Sequence, residues 1–413
     1  MDAETIVSIT ARPSEEAQRR GYPAGFPSLP PLPAGRYSDP TFHRLEREHV
    51  FGRSWLFVAH GDQLPRPGDV LRLEPDLGPV ILVRQDDGSV RAFANTCQHR
   101  GSALVLEQAT NVGRRLTCPY HGWTYRLDGS LAGYPQADDF GDLDHECLGL
   151  PAIRCEAWGP LLFVNLDPSA PPLLDALRPV SDDLAELGDL TGRLHLVGTD
   201  RTEVPVNWKL PVDANIETYH VNVAHRQTAA KVIDQTHTGI WLLPNGHSRM
   251  LISARDGADL TIPLAPVFDT LGRLPDSGTF SYHVFPNLSI VFSGRGFVFF
   301  IANWPTGPTT SRYDVHYCSS LAPDDDTRAL NERIIAATST VLYEDLVVLP
   351  GMQASIDAGT LTSLALSYQE RRIQYLHEQI DRAIGVERID ESLRVRQVLG
   401  PFVEGGVRSG ADT

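Results

Sequence analysis

Short hydrophobic runs separated by turn-forming polar residues and glycines, between residue 55 and about residue 168, predict a series of short β-strands with tight turns. Strands at 80–84 and 89–93 flank one Asp-Gly turn, and strands at 125–127 and 131–133 flank another. An Asp-Gly turn between two apolar runs is typical of a β-hairpin. This stretch therefore predicts a small all-β domain.

After residue 168 the pattern changes to a mixture of strands and helices. Alternation at 279–302 and 313–319 predicts further strands, whereas 325–352 and 364–385 show helical patterns. Strands that follow one another, with helices beside them, indicate an α+β fold with an antiparallel sheet.

The N-terminal residues differ from both of these regions. Residues 1–36 are rich in Pro, Gly, Ala and Arg, which predicts an extended or disordered arm. A helix is expected next, at about 40–51, with Asp39 as its N-cap and Pro40 as its first residue.

The composition narrows the possible partners. The chain has 413 residues, of which 42% are hydrophobic and 21% charged, as in an ordinary soluble globular protein. Its net charge of −16 opposes binding to nucleic acid or to an anionic membrane. No apolar run approaches the ~20 residues that span a bilayer, and no signal-peptide pattern is visible. We therefore expect a cytoplasmic protein without a membrane partner.

Two short runs each combine one cysteine with one histidine. Cys97 precedes His99 with one residue between them, and Cys118 precedes His121 with two between them. Two thiolates on one iron and two imidazoles on the other are the ligands of a Rieske [2Fe–2S] cluster. Zinc would also accept this set, but zinc sites usually pair Cys with Cys and His with His. The spacing therefore favours the cluster, which is a one-electron relay, over structural zinc.

The other three cysteines are Cys147, Cys155 and Cys318. We expect them to be small buried residues with free thiols, as in a reducing cytoplasm, rather than to include a Cys147–Cys155 disulfide.

A second candidate metal site lies at His220 and His225, which are five residues apart. A regular helix would turn them about 140° out of line, so a bend or a helix end is needed to bring both imidazoles to one metal. Two imidazoles and one carboxylate form the facial triad of non-haem Fe(II), with open positions for O2 and substrate. Asp345 is the candidate carboxylate, because an unpaired carboxylate in its apolar helical stretch would be costly to bury. The adjacent Glu344 is the alternative.

Glu217 lies three residues before His220, so that the two can share one face of a helical turn. A metal-bound histidine usually donates its other N–H group to a carboxylate. We expect Glu217 to be that acceptor.

Together these residues resemble the α (oxygenase) subunits of the Rieske non-haem iron oxygenases, the ring-hydroxylating dioxygenase superfamily. The resemblance runs from Tyr37 to about Gly385 and rests on the two cluster runs and on the spacing of Glu217, His220 and His225. Four further segments contribute to it, namely 51–55, 158–159, 163–167 and 207–209.

The resemblance implies an all-β Rieske domain at 53–168, inserted in a helix-grip catalytic domain formed by 37–52 and 169–413. It implies a homotrimer in which the cluster of one subunit faces the iron of the next, whereas the presence of a β subunit stays open.

The resemblance also implies a role for Glu217 as an electron bridge. It would join the Rieske histidine corresponding to His121 with the iron ligand corresponding to His220. Many ring dioxygenases have Asp at this place. Glu is more similar to the branch that acts on quaternary ammonium compounds such as carnitine, choline or betaine.

The function implied is that of a terminal oxygenase component, which hydroxylates or dihydroxylates a small aromatic or quaternary ammonium substrate with O2. N-oxygenation and oxidative N- or O-dealkylation by the same site are alternatives. No Gly-x-Gly-x-x-Gly motif follows a predicted strand, so the chain is not expected to bind NAD(P)H. Electrons would come from a separate NAD(P)H-dependent reductase, with or without a ferredoxin.

Two other classes of protein contain a Rieske cluster. An electron carrier without oxygenase activity would not need the long chain after residue 168, nor the His220/His225 pair. The Rieske proteins of cytochrome complexes have an additional cysteine in each ligand run, where this chain has Ser102 and Tyr120.

The substrate pocket is expected to be lined by parts of 227–253 and 277–303 and by the helix that contains Asp345. Its candidate aromatic residues are Trp241, Phe280, Phe285 and Phe299. They could line an arene pocket, form part of a cation cage or belong to the core, and core is the default for any one of them.

Overall fold

The computed structural model divides the chain into two compact units. One unit is Phe51–Leu173, and the other consists of Met1–Val50 together with the described part of Leu174–Thr413. The resemblance noted above implies bounds of 53–168 for the first of these units. The residues that the structure describes are 1–73, 78–144, 147–258 and 264–404.

The helices are distributed over the N-terminal and C-terminal parts of the chain. Their bounds are α1 Ala3–Gln18, α2 Pro40–Leu45, α3 Leu173–Ala176, α4 Val180–Asp183, α5 Lys209–Ile216, α6 Val221–Ala224, α7 Asp325–Asp357 and α8 Arg371–Ile384.

The strands fall into two main groups. The first strands are β1 Leu32–Pro33, β2 Leu56–His60, β3 Asp69–Arg72, β4 Val80–Arg84, β5 Val90–Ala94, β6 Ala109–Asn111, β7 Arg115–Thr117, β8 Thr124–Arg126, β9 Leu131–Gly133, β10 Ala152–Trp158 and β11 Leu161–Asn165. The later strands are β12 His195–Val204, β13 Ile233–Leu242, β14 Ser248–Ala254, β15 Gly278–Val284, β16 Leu288–Phe292, β17 Phe297–Gly307, β18 Thr310–Ser319 and β19 Ser363–Leu364.

The unit 51–173 is built from antiparallel strands. One sheet has the order β2-β11-β10-β5-β4-β3-β6, and a smaller one has the order β7-β8-β9. Both predicted hairpins are confirmed, since β4 pairs with β5 and β8 pairs with β9. Gly88 and Gly129 close these turns at φ values of +82° and +87°, which residues with a side chain rarely adopt.

The other unit contains an antiparallel sheet in the order β12-β18-β17-β16-β15-β14-β13. The strands predicted within 279–302 and at 313–319 are β15 to β18, and the predicted α+β class is confirmed. One register row crosses β14 to β17 through Met250, Ser281, Val291 and Phe299. Residues of one row point to the same face of a sheet, so this row defines the floor of the site described below.

Helix α7 packs its buried leucines Leu346 and Leu349 against this sheet, in one core with Phe299 and Tyr317. The Asp324 carboxylate caps this helix by accepting the N–H groups of Asp326 and Thr327 in its first turn. Holding Asp324 at the N-cap satisfies backbone donors that the helix itself cannot pair.

Helix α8 begins at Arg371, and the predicted start at 364 is wrong. Ser363 and Leu364 instead pair with Pro33 and Leu32 as strand β19. Pairing with a distant strand is not visible in a local helical pattern, which explains the early start predicted from the sequence.

Helix α7 is also long and apolar enough, by length and composition alone, to cross a membrane, and 11% of its most apolar window is buried within the chain. Polar and charged residues interrupt it, so it contains no long uninterrupted apolar run. A single helix of this kind is weak evidence for a membrane, because core helices of soluble proteins can be equally long and apolar. It does not by itself indicate a membrane.

The prediction that residues 1–36 form an extended or disordered arm is wrong for 3–18. These residues form α1, which is capped by the Asp2 carboxylate and buries Ile9 and Pro13 against β13 and β14. The Pro and Gly residues that suggested disorder lie mostly after α1, in 21–35.

The predicted helix at 40–51 is confirmed as α2 followed by a π-helical turn at Glu46–Phe51. The carboxylate of Asp39 accepts the N–H of Phe42 at 2.7 Å, as expected of an N-cap.

The segment 207–209 is buried against that π-helical turn. The Lys209 Nζ atom lies 2.7 Å from Glu46 Oε1, and both side chains are inaccessible to solvent. Trp208 Nε1 donates to the other carboxylate oxygen of Glu46 at 3.1 Å. A buried charge pair of this kind is tolerated because each partner satisfies the other.

The five cysteines are all free thiols. Cys318 is buried and Cys155 is half-buried, but Cys147 is exposed, so the prediction that all three spare cysteines are buried is wrong for Cys147.

Candidate metal centres

The two Cys–His runs form loops with the same hydrogen-bond pattern. In each loop the N–H of the cysteine donates to the carbonyl oxygen five residues later, at 2.8 and 2.7 Å. The N–H of a glycine four residues after the cysteine donates back to the cysteine carbonyl, at 2.9 and 3.1 Å. Both glycines have positive φ values, +79° and +74°, which closes the loops tightly. The residues are Cys97, Gly101 and Ser102 in one loop and Cys118, Gly122 and Trp123 in the other.

The structure brings the two imidazoles of these loops together. The ring centroids of His99 and His121 are 4.7 Å apart, and Trp123 stacks on His99 at 5.0 Å with an interplanar angle of 5°. The Nδ1 atom of His99 is buried and has no hydrogen-bond partner among the described residues. A buried nitrogen without a partner fits a metal ligand, since a metal would compensate the cost of its burial.

The thiols of the same loops are both buried. Burial raises the pKa of Cys118, but hydrogen bonds from the backbone of Tyr120 and His121 and from the side chain of Cys97 outweigh it, so its pKa lies below that of an ordinary thiol. The hydroxyl oxygen of Tyr125 lies 3.4 Å from Cys97 Sγ. A thiol that ionises readily is what a metal requires of a cysteine, so the thiols and imidazoles of these loops fit a [2Fe–2S] cluster.

The second candidate centre is built around the one-turn helix α6. Helix α5 ends before Glu217, whose backbone is extended at φ −128° and ψ 174°. The helical conformation is thus interrupted at Glu217, and α6 has His220 at its N-cap and His225 at its C-cap. The helix ends that two histidines five residues apart need in order to reach one metal are therefore present.

The structure brings the three predicted donor atoms of this centre together. His220 Nε2 lies 3.1 Å from His225 Nε2, and Asp345 Oδ1 lies 3.4 Å and 3.1 Å from these two nitrogens. Donor atoms about 2.1 Å from one metal and at right angles to each other would be about 3.0 Å apart. Within the part of the chain that the structure describes, this is the one group of three or more His, Cys, Asp or Glu residues spaced to hold a single ion.

Each imidazole also binds a carboxylate through its other nitrogen. His220 Nδ1 is hydrogen-bonded to Glu217, as the sequence predicts, and His225 Nδ1 lies 2.7 Å from Glu344 Oε2. Glu344 also accepts a hydrogen bond from the Thr228 hydroxyl at 2.5 Å. This arrangement fixes the tautomer that leaves each Nε2 free for a metal.

The geometry therefore favours Asp345 over Glu344 as the third ligand. Asp345 Oδ1 faces both Nε2 atoms, whereas Glu344 binds the opposite edge of His225. Sequence analysis missed this second carboxylate–histidine pair. The available signal was that Glu344 directly precedes Asp345 in the helix.

The charges around these imidazoles suit a cation. Burial lowers the pKa of His220, but the hydrogen bond and charge of Glu217 and the charge of Asp345 raise it above its ordinary value. The pKa of His225 is raised in the same way, by Asp345 and Glu344 against the effect of burial. Carboxylates that stabilise a proton on these rings would equally stabilise a divalent metal ion, so the donor set fits Fe(II).

A cavity of about 620 Å³ adjoins this group, and His220, His225 and Asp345 all contribute to its lining. The floor is formed by Met250, Ser281 and Val291 of the sheet, and one wall is formed by Ala337, Thr338 and Val341 of α7. The volume is typical of a pocket for a small organic molecule.

Of the aromatic residues predicted to line this cavity, Phe299 does so, and Phe292 at the end of β16 was missed. Phe280 neighbours Ser281 in β15 and so points to the opposite face of the sheet. Trp241 lines another cavity, of about 820 Å³, beside α1. Phe285 is likewise not among the described lining residues. Of the four candidates, Phe299 is thus the one found in the described lining, whereas Phe280 is a fully buried core residue.

A directed chain of buried hydrogen bonds leads from Arg36 to helix α5. Arg36 Nε donates to His377 Nδ1 at 2.8 Å, so Nε2 of that ring carries the proton and donates to the Tyr37 oxygen, also at 2.8 Å. The Tyr37 hydroxyl in turn donates to Asp213 Oδ2 at 2.6 Å. Burial raises the pKa of Asp213 to about 8, although Tyr37 and Lys209 lower it.

Comparisons with known proteins agree with these two centres. Residues 54–151 match the family model of the Rieske [2Fe-2S] domain, and residues 191–386 match that of the ring hydroxylating alpha subunit (catalytic domain). The first match contains both cysteine–histidine loops, and the second contains Glu217, both histidines of α6 and Asp345.

Two curated relatives illustrate the range of similar proteins. The carnitine monooxygenase oxygenase subunit of Acinetobacter pittii (strain PHEA-2) is 34% identical over 220 residues, which are 52% of this chain and 58% of that protein. The large oxygenase component of the naphthalene 1,2-dioxygenase system of Pseudomonas putida is 36% identical over 194 residues, 46% of this chain and 43% of that protein. The chain thus spans about half the length of these relatives.

A solved structure of a quaternary ammonium Rieske monooxygenase, described as informing on carnitine oxidation by gut microbiota and on inter-subunit electron transfer, has the same fold. It superposes with a TM-score of 0.72 at 24% identity, covering 88% of this chain and 98% of that one.

Proposed function

We propose, from the premise that this chain belongs to the α (oxygenase) subunits of the Rieske non-haem iron oxygenases, that it is the terminal oxygenase of a multicomponent system. The reaction is O2-dependent hydroxylation or dihydroxylation of a small aromatic or quaternary ammonium substrate, with oxidative dealkylation or N-oxygenation as the alternatives. The observation that carries the proposal is that His220, His225 and Asp345 converge at the edge of one cavity.

Two sets of residues would hold the cofactors. When bound, the cluster supplies single electrons and the iron supplies O2 activation. The cluster ligands are Cys97, His99, Cys118 and His121, and the Fe(II) ligands are His220, His225 and Asp345.

The residues around the iron ligands have separate tasks. Glu217 and Glu344 hold the two imidazoles in the tautomer and orientation that a metal requires. Apolar cavity walls such as Val291 and Phe299 exclude water from the substrate.

We also propose that the active form is a homotrimer in which Glu217 of one subunit meets the cluster edge of a second copy and serves as the electron bridge. The surface near Glu217 exposes apolar side chains, since Tyr219 and Val223 are 61% and 82% exposed. At the cluster edge, Tyr120 next to His121 is 59% exposed. Exposed apolar patches of this kind mark contact surfaces.

Electrons would come from an NAD(P)H-dependent reductase, directly or through a ferredoxin. The net charge of −16 suits a partner with a basic docking face. A cytoplasmic location is part of the proposal and is supported by the five free thiols.

The proposal is tested on anaerobically purified protein with a surrogate reductase. We expect two cluster irons and one further iron per chain, together with O2 uptake that a substrate stimulates and 18O in the product. The variant Asp345→Ala is the matched control, because it should retain the cluster spectrum and lose the uptake. A protein that accepts electrons but takes up no O2 with any substrate, at full iron content, would be an electron carrier instead.

A further inference from the structure

The cavity beside the metal group contains few charged groups. Its described lining residues that can carry a charge are Glu217, His220, His225 and Asp345, the three proposed ligands and the carboxylate bound to one of them. The remaining described lining residues include no Lys, Arg, Tyr or Trp. Beyond the metal, this part of the cavity therefore offers a substrate neither a fixed charge nor a large aromatic cage.

The basic residues nearest to the cavity do not contribute to its described lining. Arg226 and Lys231 are exposed and do not contribute to the lining. The guanidinium of Arg372 is buried on the same face of the sheet as the cavity, where Nε donates to the Ser248 hydroxyl at 2.8 Å and Nη1 to Met250 Sδ at 3.4 Å. Met250 is the lining residue, whereas Arg372 is not.

The carboxylates of the lining are already neutralised by their neighbours. Glu217 is bonded to His220, and Asp345 faces both Nε2 atoms. Among the described lining residues, Phe292 and Phe299 are the only aromatic rings available to a quaternary ammonium group, and stable cation recognition usually surrounds the charge with several aromatic rings. A substrate carboxylate would be buried with no basic partner among these residues, at a high cost in free energy.

Two polar groups of the lining have unused hydrogen-bonding capacity. The Ser281 hydroxyl is buried, with 3% of the residue exposed, and has no partner among the described residues. It lies in the floor row between Met250 and Val291, its partners on the adjacent strands. The Nδ2 group of Asn215 is also buried without a partner, while its Oδ1 accepts the Tyr313 hydroxyl. A neutral polar group on a substrate would satisfy the Ser281 hydroxyl, and a buried hydroxyl favours such a partner.

We infer that this cavity takes an uncharged, largely apolar substrate such as a one- or two-ring arene or alicycle, with any single carbonyl or hydroxyl group bound by Ser281. The described lining residues disfavour carboxylated quaternary ammonium compounds, because they include neither a basic partner for the carboxylate nor a cage of aromatic rings for the cation. The inference rests on the proposed oxygenase function and selects between its two substrate classes. Glu217 by itself suggested a quaternary ammonium substrate. The lining residues are given more weight here, because they contact the whole substrate and not one part of it.

The test measures binding and turnover separately on the holoenzyme. Indane and 1-indanone serve as neutral probes, and L-carnitine and glycine betaine as charged ones. Calorimetric titration under anaerobic conditions reports binding, and O2 uptake with a surrogate reductase reports turnover. We expect both neutral probes to bind and to stimulate O2 uptake, and the charged probes to do neither.

The variant Ser281→Ala tests the hydroxyl. It should weaken the binding of 1-indanone about threefold to tenfold, the value of one hydrogen bond, and leave indane unchanged. The matched control is Thr340→Val, because Thr340 also lines the cavity but its hydroxyl already donates to the Ala336 carbonyl at 2.8 Å. This control should affect both neutral probes equally.

The outcomes separate the inference from the proposed function. Binding of carnitine or betaine with stimulated O2 uptake, or the absence of binding by both neutral probes, would overturn the inference. Binding of the neutral probes without O2 uptake by fully metallated protein would support the inference and contradict the oxygenase function. An equal effect of Ser281→Ala on indane and 1-indanone would remove Ser281 from substrate recognition.

Discussion

Glu344 Oε2 lies 2.7 Å from Nδ1 of His225, and Asp345 Oδ1 lies 3.1 Å from Nε2 of the same ring. Two adjacent residues of α7 thus hold one imidazole from its two opposite nitrogens. Consecutive residues of a helix point about 100° apart, so a single turn supplies both a candidate ligand and the group that orients its neighbour.

Glu344→Gln is expected to weaken metal binding without unfolding the chain. An amide can still bond Nδ1 but no longer adds negative charge to the imidazole, and loss of such a partner typically costs 10- to 100-fold in metal affinity. Equilibrium titration with Fe(II) or Co(II) measures the effect. Glu332→Gln, an exposed change on the same helix, is the control, and equal affinities for both variants would contradict the role of Glu344.

Asp345→Asn is expected to lose the mononuclear iron and keep the cluster. The change preserves the side-chain volume but removes the carboxylate that faces both Nε2 atoms. Metal analysis should fall by one iron per chain, while the visible spectrum of the cluster persists. Unchanged iron content would place the third ligand elsewhere.

Glu217→Gln is expected to leave both metal centres loaded and to abolish turnover. The amide can remain bonded to His220, but the proposed link to a second copy loses its charge. Single-turnover experiments with the pre-reduced cluster should show slow or absent cluster reoxidation on addition of substrate and O2. Wild-type reoxidation rates in this variant would dismiss the bridge.

Lys209→Met is expected to destabilise the fold by about 3–5 kcal/mol, because it leaves the buried carboxylate of Glu46 without a cation. The double variant with Glu46→Gln should recover a large part of this loss. Urea denaturation gives the free energies of unfolding. Arg44→Met, which breaks an exposed pair with Glu48 at 3.9 Å, should change stability by less than about 1 kcal/mol. Similar losses of unfolding free energy in Lys209→Met and Arg44→Met would show that the buried pair contributes no more to stability than the exposed one.

Asp213→Asn is expected to remove a pH dependence of stability. Burial raises the pKa of Asp213 to about 8 in the folded chain, against about 4 for an unfolded aspartate. The folded state therefore holds a proton that the unfolded state has lost, and this contribution to stability is full below about pH 4 and declines as the pH rises towards 8. Denaturation at pH 5 to 8 should show the wild type losing stability relative to the variant. Parallel curves would mean that Asp213 ionises normally.

The sequence predicts those parts of the molecule that depend on local patterns. Both hairpins follow from Asp-Gly turns between apolar runs, and the N-cap at Asp39 follows from its place before Pro40 and a helical pattern. The candidate ligands were found because their chemistry requires particular residue types at short spacing. Helix α1 was missed because the composition of 1–36 was taken as a whole, although its Pro and Gly residues mostly follow the helix.

The remaining features depend on tertiary contacts. Pairing of Leu364 with Leu32 removes residue 364 from the predicted helix, and α8 begins only at Arg371. No local signal in the sequence indicates a partner so far away along the chain. The alternation of side chains in β15 sends Ser281 into the cavity and Phe280 away from it. The sequence analysis selected Phe280 because a sequence shows the size of a side chain but not which face of the sheet it points to.

Helix α7 contributes Ala337, Thr338 and Val341 to the cavity and, one to two turns later, Asp345 to the metal group. An α-helix is stiff over two turns, so the backbone segment that carries these side chains is expected to move as one rigid body. A ligand that displaced the wall at Val341 would therefore also displace the Asp345 carboxylate, so that occupancy of the cavity would be coupled to the position of a proposed metal ligand.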